Sequence, residues 1–228
     1  LVLYDMCKND NMSPSQIKEG KIELIAECDG VLKVDTEKLN RINSLGEMMI
    51  ASRHGDFPVK KGDKLAGTRI IPLVIEKEKM HKAAAICADG PILELKEFHK
   101  KKVGIITTGN EVYHKRIEDT FTPVIKEKLA EYDTEVIYHE IFDDNHEKIT
   151  RGCLTAIEKG ADLVICTGGM SVDPDDKTPL AIKNTGAEIV SYGAPVLPGA
   201  MFLLSYYKND IPILGLPGCV MYAKRTIF

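Results

Sequence analysis

The sequence predicts an α/β protein: a mostly parallel sheet in the C-terminal half, preceded by a smaller β-rich α+β domain. Two observations carry this. From Val103 onward, short apolar runs alternate regularly with helix-patterned segments, the βαβα rhythm of a parallel sheet. Before that point Gly55, Pro58, Gly62, Gly67 and Pro72 punctuate short alternating segments, the rhythm of a small β unit. Between them the basic run Lys96-Glu97-Phe98-His99-Lys100-Lys101-Lys102 reads as a solvated linker. It divides the chain into expected domains 1–97 and 98–228.

The first 20 residues read as a strand remnant followed by loop, with Asn9-Asp10-Asn11 and Ser13-Pro14. Ile22, Leu24 and Ala26 alternate with charged neighbours, Asp29-Gly30 is a turn signal, and Val31, Leu32 and Val34 follow, which together predict a β-hairpin. Asp35 or Thr36 caps a short helix through Ser44 with Leu39 and Ile42 on its inner face. Val59 to Gly67 reads as strand, turn, strand. Met80, Ala83, Ala84 and Cys87 recur at helical spacing within a helix over 76–88, Gly90-Pro91 stops it, and a strand covers 92–95.

In the second half Val103 to Thr107 is an apolar strand. Thr122-Pro123 starts a helix whose apolar face holds Val124, Ile125, Leu129 and Tyr132. A strand over 135–141 follows, then a helix through Lys159 whose expected capping box is Asp144 with Glu147. Leu163-Val164-Ile165-Cys166 is apolar and β-rich enough to be a strand buried on both faces. A helix from Thr178 to Gly186, a strand over 188–191 and a strand pair over 201–206 and 211–216 complete the pattern.

Three strands end in glycine loops: Thr108-Gly109, Gly168-Gly169 and Pro217-Gly218. Glycine lets backbone turn sharply and approach a ligand. In an open α/β sheet the carboxyl ends of the strands share one edge, where ligands bind. Glu111, Asp143, Asp144, Asp175 and Asp176 all follow strand ends and are expected at that edge. Each has an ordinary account: Asp144 as a helix cap, Glu111 as loop surface, Asp175 or Asp176 as the cap of the helix near Thr178. Gathered together, carboxylates repel unless a cation or proton is bound, which favours a functional cluster serving a metal ion, a ligand amine or proton transfer.

Composition limits the alternatives. Hydrophobic residues make up 44% of the 228, charged residues 28%, and the net charge is −4. No apolar run approaches the roughly 20 residues of a membrane helix, and no basic footprint points to nucleic acid. Six scattered cysteines lack any C-x-x-C pair and read as reduced thiols, consistent with a cytoplasmic protein. There is no initiator Met or signal pattern, and Met221 to Phe228 reads as a helix only begun, so a fragment cut at its C-terminus is expected. G-x-S-x-G, Walker A, H-E-x-x-H and G-x-G-x-x-G patterns are absent.

The motifs Thr107-Thr108-Gly109-Asn110-Glu111, Phe142-Asp143-Asp144, Thr167-Gly168-Gly169-Met170-Ser171-Val172 followed by Asp176, Pro198-Gly199 and Leu216-Pro217-Gly218 resemble, in order and spacing over about Lys102 to Phe228, the molybdopterin-binding domain. That domain is shared by molybdopterin molybdenumtransferases, molybdopterin adenylyltransferases and gephyrin. The resemblance extends more weakly to the first half, which looks like the accessory β-rich domains of a transferase-like relative.

The resemblance implies a three-layer α/β/α domain binding molybdopterin or its adenylylated form through phosphate or adenylyl groups. The residues it assigns to that ligand are Thr108, Gly109, Thr167, Gly168, Gly169, Ser171, Pro198, Gly199, Pro217 and Gly218. Glu111, Asp143, Asp144 and Asp176 take the catalytic positions. Among them Glu111, Asp144 and Asp176 are implied as ligands that position a divalent cation such as Mg2+, or molybdate, during metal insertion. A homo-oligomer is also implied. The chain departs from the family pattern at Asn110, where Thr-Gly-Asp-Glu is usual, in a shortened segment ending Asp119-Thr120-Phe121, and at Cys219-Val220 after Leu-Pro-Gly. The expected function is therefore molybdopterin binding in molybdenum cofactor biosynthesis, with molybdenum insertion as the possible chemistry and a non-catalytic carrier or sensor as the alternative. A second alternative is a nucleotide hydrolase of the competence/damage-inducible type, which shares the Asp175-Asp176-Lys177-Thr178 pattern; Ser171-Val172 and the β-rich first half argue against it.

Overall fold

The computed structural model describes residues 2–171, 173, 175–208, 210–224, 226 and 227, and falls into two compact units, Leu1–Phe98 and His99–Phe228. Val172 of the resembling motif lies outside the described residues.

The first unit contains α1 (Val2–Cys7), β1 (Met12–Pro14), β2 (Lys21–Ala26), β3 (Gly30–Val34), α2 (Thr36–Asn43), β4 (Met48–Ser52), β5 (Phe57–Val59), β6 (Lys64–Ile70), α3 (Lys77–Ile86) and β7 (Leu93–Glu97). Two antiparallel sheets, ordered β1-β2-β6-β4 and β5-β3-β7, share one core around Leu24, Leu32, Ile42, Ile50, Leu65 and Leu93. Asp35 caps α2 by accepting from Lys38 N–H at 2.9 Å, and Ile42 is fully buried beneath that helix.

Two expectations for this unit are corrected. The first residues form α1 and then β1, with Leu3, Tyr4, Met6 and Cys7 buried, in place of the strand remnant expected from the sequence. The expected hairpin over 22–34 does not form: β2 pairs with β1 and β6, and β3 with β5 and β7. Residues between them are held by other segments. Ala26 C=O accepts from Gly62 N–H, and Asp29 accepts from Lys61 N–H on its side chain and from Phe98 N–H on its carbonyl. Alternation along β2 and β3 specifies which face is buried but not which strand pairs with it.

The second unit contains β8 (Lys101–Thr108), α4 (Asn110–Tyr113), α5 (Phe121–Leu129), β9 (Thr134–Phe142), α6 (His146–Glu158), β10 (Leu163–Thr167), α7 (Thr178–Asn184), β11 (Glu188–Tyr192), β12 (Leu203–Tyr207) and β13 (Ile211–Leu216), with a 3₁₀ turn at Gly218–Met221. Its sheet is ordered β11-β12-β13-β10-β8-β9. β9, β8, β10 and β13 are parallel to one another, and β12 is antiparallel to both its neighbours. This is the mostly parallel sheet that the sequence predicts. Lys101 and Lys102 belong to β8, so the basic run is only partly a connection.

Alternation assigns the two faces of the sheet. Ile106, Val164, Cys166 and Ile213 pack with Ile149, Cys153 and Ala156 of α6 and Ala181 and Ile182 of α7. Val103, Ile105, Ile165, Leu214 and Leu216 pack on the other face with Ile125 and Leu129 of α5. Helices thus cover both faces in three layers. Full burial of each large aliphatic side chain is worth about 1.5–3 kcal/mol. α6 lies so close to the sheet that a Cβ on Gly104 would sit 2.6 Å from the Ala156 methyl.

The starts of three helices differ from expectation in detail. Asn145 caps α6, accepting from Glu147 N–H and Lys148 N–H, which replaces the expected Asp144–Glu147 capping box. α5 begins at Phe121, one residue before the expected Thr122, because Asp119 Oδ1 accepts from both Phe121 N–H and Thr122 N–H at 3.0 Å. The sequence does not signal α4, since its four residues are too few for a periodic pattern. Beyond Met221 the described residues form no helix, contrary to the expected helix start.

Candidate functional site

The registers of the parallel strands place their ends level. Thr167 of β10 lies opposite Thr107 of β8 on one side and Leu216 of β13 on the other. The three glycine loops therefore leave one edge of the sheet together. Both Gly168 and Gly169 are left-handed, with φ +83° and +54°, a region costly for residues with a Cβ. Space forbids a side chain at Gly168 as well, because a Cβ there would stand 2.1 Å from the Thr108 carbonyl oxygen. The loops are clasped by hydroxyls: Thr178 Oγ1 donates to Gly168 C=O at 2.8 Å and lies 3.1 Å from Thr108 Oγ1.

Beside this clasp opens a cleft of about 700 Å3. Of the residues implied by the resemblance, Thr108, Gly109, Glu111, Asp144, Gly169 and Asp176 line it. Asp144 and Asn110 hold each other: Asn110 N–H donates to Asp144 Oδ2 at 3.2 Å, and Asp144 N–H donates to Asn110 Oδ1 at 3.4 Å. The pairing fixes the first residue of α4 against the end of β9. Asp176 does not cap α7, whose N-cap is Lys177 with no side-chain bond. Its Oδ2 instead accepts from Ser171 N–H and from Ser171 Oγ–H, the latter at 2.8 Å, closing the loop after Gly169 on itself. Ser171 thus reaches the cleft through Asp176.

The remaining implied residues stand back from the cleft wall. Asp143 pairs with Lys148 Nζ at 2.7 Å, which holds the Lys148 ammonium above its ordinary pKa through that hydrogen bond. Thr167 is fully buried in the sheet, and Gly168 lies behind Gly169. Gly199 packs against Ile227, and a Cβ on it would stand 2.7 Å from the Ile227 Cγ2 methyl. Pro198 precedes it without reaching the cleft. Pro217 and Gly218 shape the turn after β13, from which Met221 and Tyr222 reach the cleft.

Sequence reasoning missed one wall almost entirely. Val112, Ile117, Phe121, Met221 and Tyr222 are apolar members of the lining, and Glu118 and Asp173 join Glu111, Asp144, Asp175 and Asp176 as its acidic members. Lys177 carries the single positive charge among these lining residues. Phe121 is set by the Asp119 cap, and beneath it His139 Nε2 lies 2.9 Å from Thr122 Oγ1, 3.2 Å from Thr107 Oγ1 and 3.7 Å from Asp119 Oδ2. Burial lowers the imidazole pKa, against the opposing pull of Asp119. In the sequence Asp119 stands out only as a departure from a motif. Its capping geometry could have been read from its place two residues before Phe121 and three before Thr122.

Residues 104–227, more than half of the chain, match the family model described as "Probable molybdopterin binding domain". The chain belongs to this family. Among curated relatives of this molybdopterin-binding chain, the molybdopterin molybdenumtransferase of Haemophilus influenzae is 28% identical over 179 residues, 75% of this chain and 41% of the relative. A protein of Bacillus cereus strain AH187, named for competence-damage inducibility, is 33% identical over 105 residues, 46% of this chain and 24% of the relative. The chain therefore spans less than half the length of either. Among solved structures, the molybdopterin biosynthesis enzyme MoaB of Thermus thermophilus has 27% identity and a TM-score of 0.46, covering 52% of this chain and 81% of that one.

Within the molybdopterin-binding unit the implied cation ligands Glu111, Asp144 and Asp176 line the same cleft. Among the described residues no three acidic, histidine or cysteine side chains come together closely enough to hold an ion. Asp176 Oδ2 accepts from Ser171, and Asp144 Oδ2 accepts from the Asn110 N–H. Among the described residues no helix is long and apolar enough to cross a membrane.

Proposed function

We propose that the cleft binds molybdopterin, and that this chain acts in molybdenum cofactor biosynthesis by holding that ligand. One observation carries the reading: in a chain of the molybdopterin-binding family, Thr108, Gly109, Gly169 and Asp176, from two adjacent strand ends, line one cleft together with Glu111 and Asp144. Gly109 and Gly169 admit a ligand close to the backbone, and the Thr108–Thr178 clasp keeps the two loops at fixed separation. The apolar lining residues Phe121, Met221 and Tyr222 suit the flat pterin ring, leaving the glycine loops for the ligand's phosphate. Preformed loops of this kind lose little freedom on binding, which favours affinity.

Calorimetric titration with molybdopterin tests the reading. Saturable binding is expected for the wild type, with loss of at least about tenfold in Gly169→Val and Asp176→Ala. Unchanged affinity in both variants would sink the site. Insertion of molybdenum is the second reading, supported by the similarity to the Haemophilus influenzae transferase and by the six carboxylate residues that line the cleft. Molybdate would then be a substrate. Formation of a molybdenum-containing pterin after adding molybdate to the complex separates insertion from carriage, and its absence favours a carrier. A homo-oligomer is the proposed assembly, checked by light scattering.

A further inference from the structure

We infer that Lys177 is the side chain through which the cleft selects an anionic ligand group, of the phosphate class. The inference rests on the reading that the cleft binds molybdopterin, and adds a residue that the glycine motifs do not assign.

Charge poses the problem. Six carboxylate residues line the cleft against one lysine, so an anion entering it meets net repulsion. Yet the Lys177 ammonium forms no ion pair with any described residue, although Asp173, Asp175 and Asp176 neighbour it in the chain. Two of those acids have partners within the loop: Asp176 accepts from Ser171, and Asp173 Oδ1 accepts from Asp175 N–H at 2.9 Å. These bonds shape the loop, and no described carboxylate lies within ion-pair distance of the lysine.

Its position is fixed from behind. Lys177 C=O accepts from Ala181 N–H at 2.9 Å, the first helical bond of α7, and the next residue is the buried Thr178 of the hydroxyl clasp. The backbone of Lys177 is therefore held by α7 and the clasp, while its half-exposed side chain lines the cleft. An ammonium is a compact point charge with three donors, suited to a phosphate oxygen. The pairing offsets part of the local repulsion that Asp175 and Asp176 impose on the same group.

The test is calorimetric titration of the whole chain with molybdopterin and, separately, with inorganic phosphate, for wild type, Lys177→Met and Lys177→Arg. Circular dichroism verifies that the variants are folded. A charged hydrogen bond is worth about 1.5–3 kcal/mol, so Lys177→Met is expected to weaken molybdopterin at least about tenfold. Lys177→Arg should stay within about threefold of wild type. The wild-type advantage over Lys177→Met should shrink as salt rises from about 0.01 to 1 M, where the Debye length falls from about 30 to 3 Å. Tight binding by the wild type with equal affinity in Lys177→Met, or an advantage independent of salt, would overturn the role of the lysine while leaving the pterin reading intact. Lysine-dependent phosphate binding without molybdopterin binding would keep the anion site and overturn the ligand. Binding of neither overturns both.

Discussion

Gly168→Ala isolates the contact that joins the two central glycine loops. The residue is left-handed at φ +83°, and an added methyl would stand 2.1 Å from Thr108 O and 2.8 Å from Thr108 Oγ1. The hydroxyl can rotate, but the carbonyl cannot move without displacing the end of β8. Left-handed backbone costs a residue with a Cβ about 1–2 kcal/mol. Overpacking a tight site adds about 1–3 kcal/mol, giving about 2–5 kcal/mol in total. Gly186→Ala supplies the control, because Gly186 has nearly the same φ of +85° with nothing within 4 Å of its would-be Cβ. That variant should lose only the backbone part, about 1–2 kcal/mol. Urea unfolding followed by circular dichroism measures both, and amide exchange at Ile105 and Ile165 assigns the transition to the second unit. With a urea slope of about 1–3 kcal/mol per molar, the two midpoints should differ by roughly 1 M. Equal midpoints would show that Gly168 is required by its backbone conformation alone, and the close approach of the loops would be refuted.

Neighbouring aspartates should separate cleanly. Asp144→Ala removes the acceptor of the Asn110 amide and should weaken molybdopterin about tenfold by calorimetry, whereas Asp143→Asn loses only a partly exposed pair with Lys148, worth about 0–1 kcal/mol of stability, and should keep affinity within about twofold. Equal losses would mean that Asp143 reaches the ligand. His139 gives a pH dependence. Its folded pKa is lowered, chiefly by burial, so on acidification the unfolded chain takes up the proton first. Its contribution to stability is present above the unfolded imidazole pKa of about 6.5 and is lost as pH falls through the lower folded value. Melting temperatures recorded across that range should fall less steeply in His139→Asn than in wild type; an unchanged slope would remove the imidazole as the cause.

What the sequence determined by itself was local and periodic. Continuous apolar runs identified β8, β10 and β13, and helical spacing identified α3 and α5. The glycines after β8, β10 and β13 placed three loops at one sheet edge, since parallel strands must end on the same side. Motif spacing drew attention to Asp176, and Asp35 could be read as a cap from its place before α2. Each of these signals depends on residues only a few positions apart.

Only the tertiary structure decided which strands paired and which side chains met. The expected β2–β3 hairpin failed because burial alternates identically whether a strand turns back on its neighbour or crosses to another sheet. Asp143 and Asp144 are adjacent in sequence, yet one turns to Lys148 and the other to Asn110, because successive residues leaving a strand point in different directions. The apolar lining of the cleft joins Val112 and Phe121 to Tyr222, far along the chain, and no periodicity links them. Gly168, expected at the ligand, proved to be a glycine first because the Thr108 carbonyl leaves no room for anything larger. That constraint exists only once β8 and β10 lie side by side.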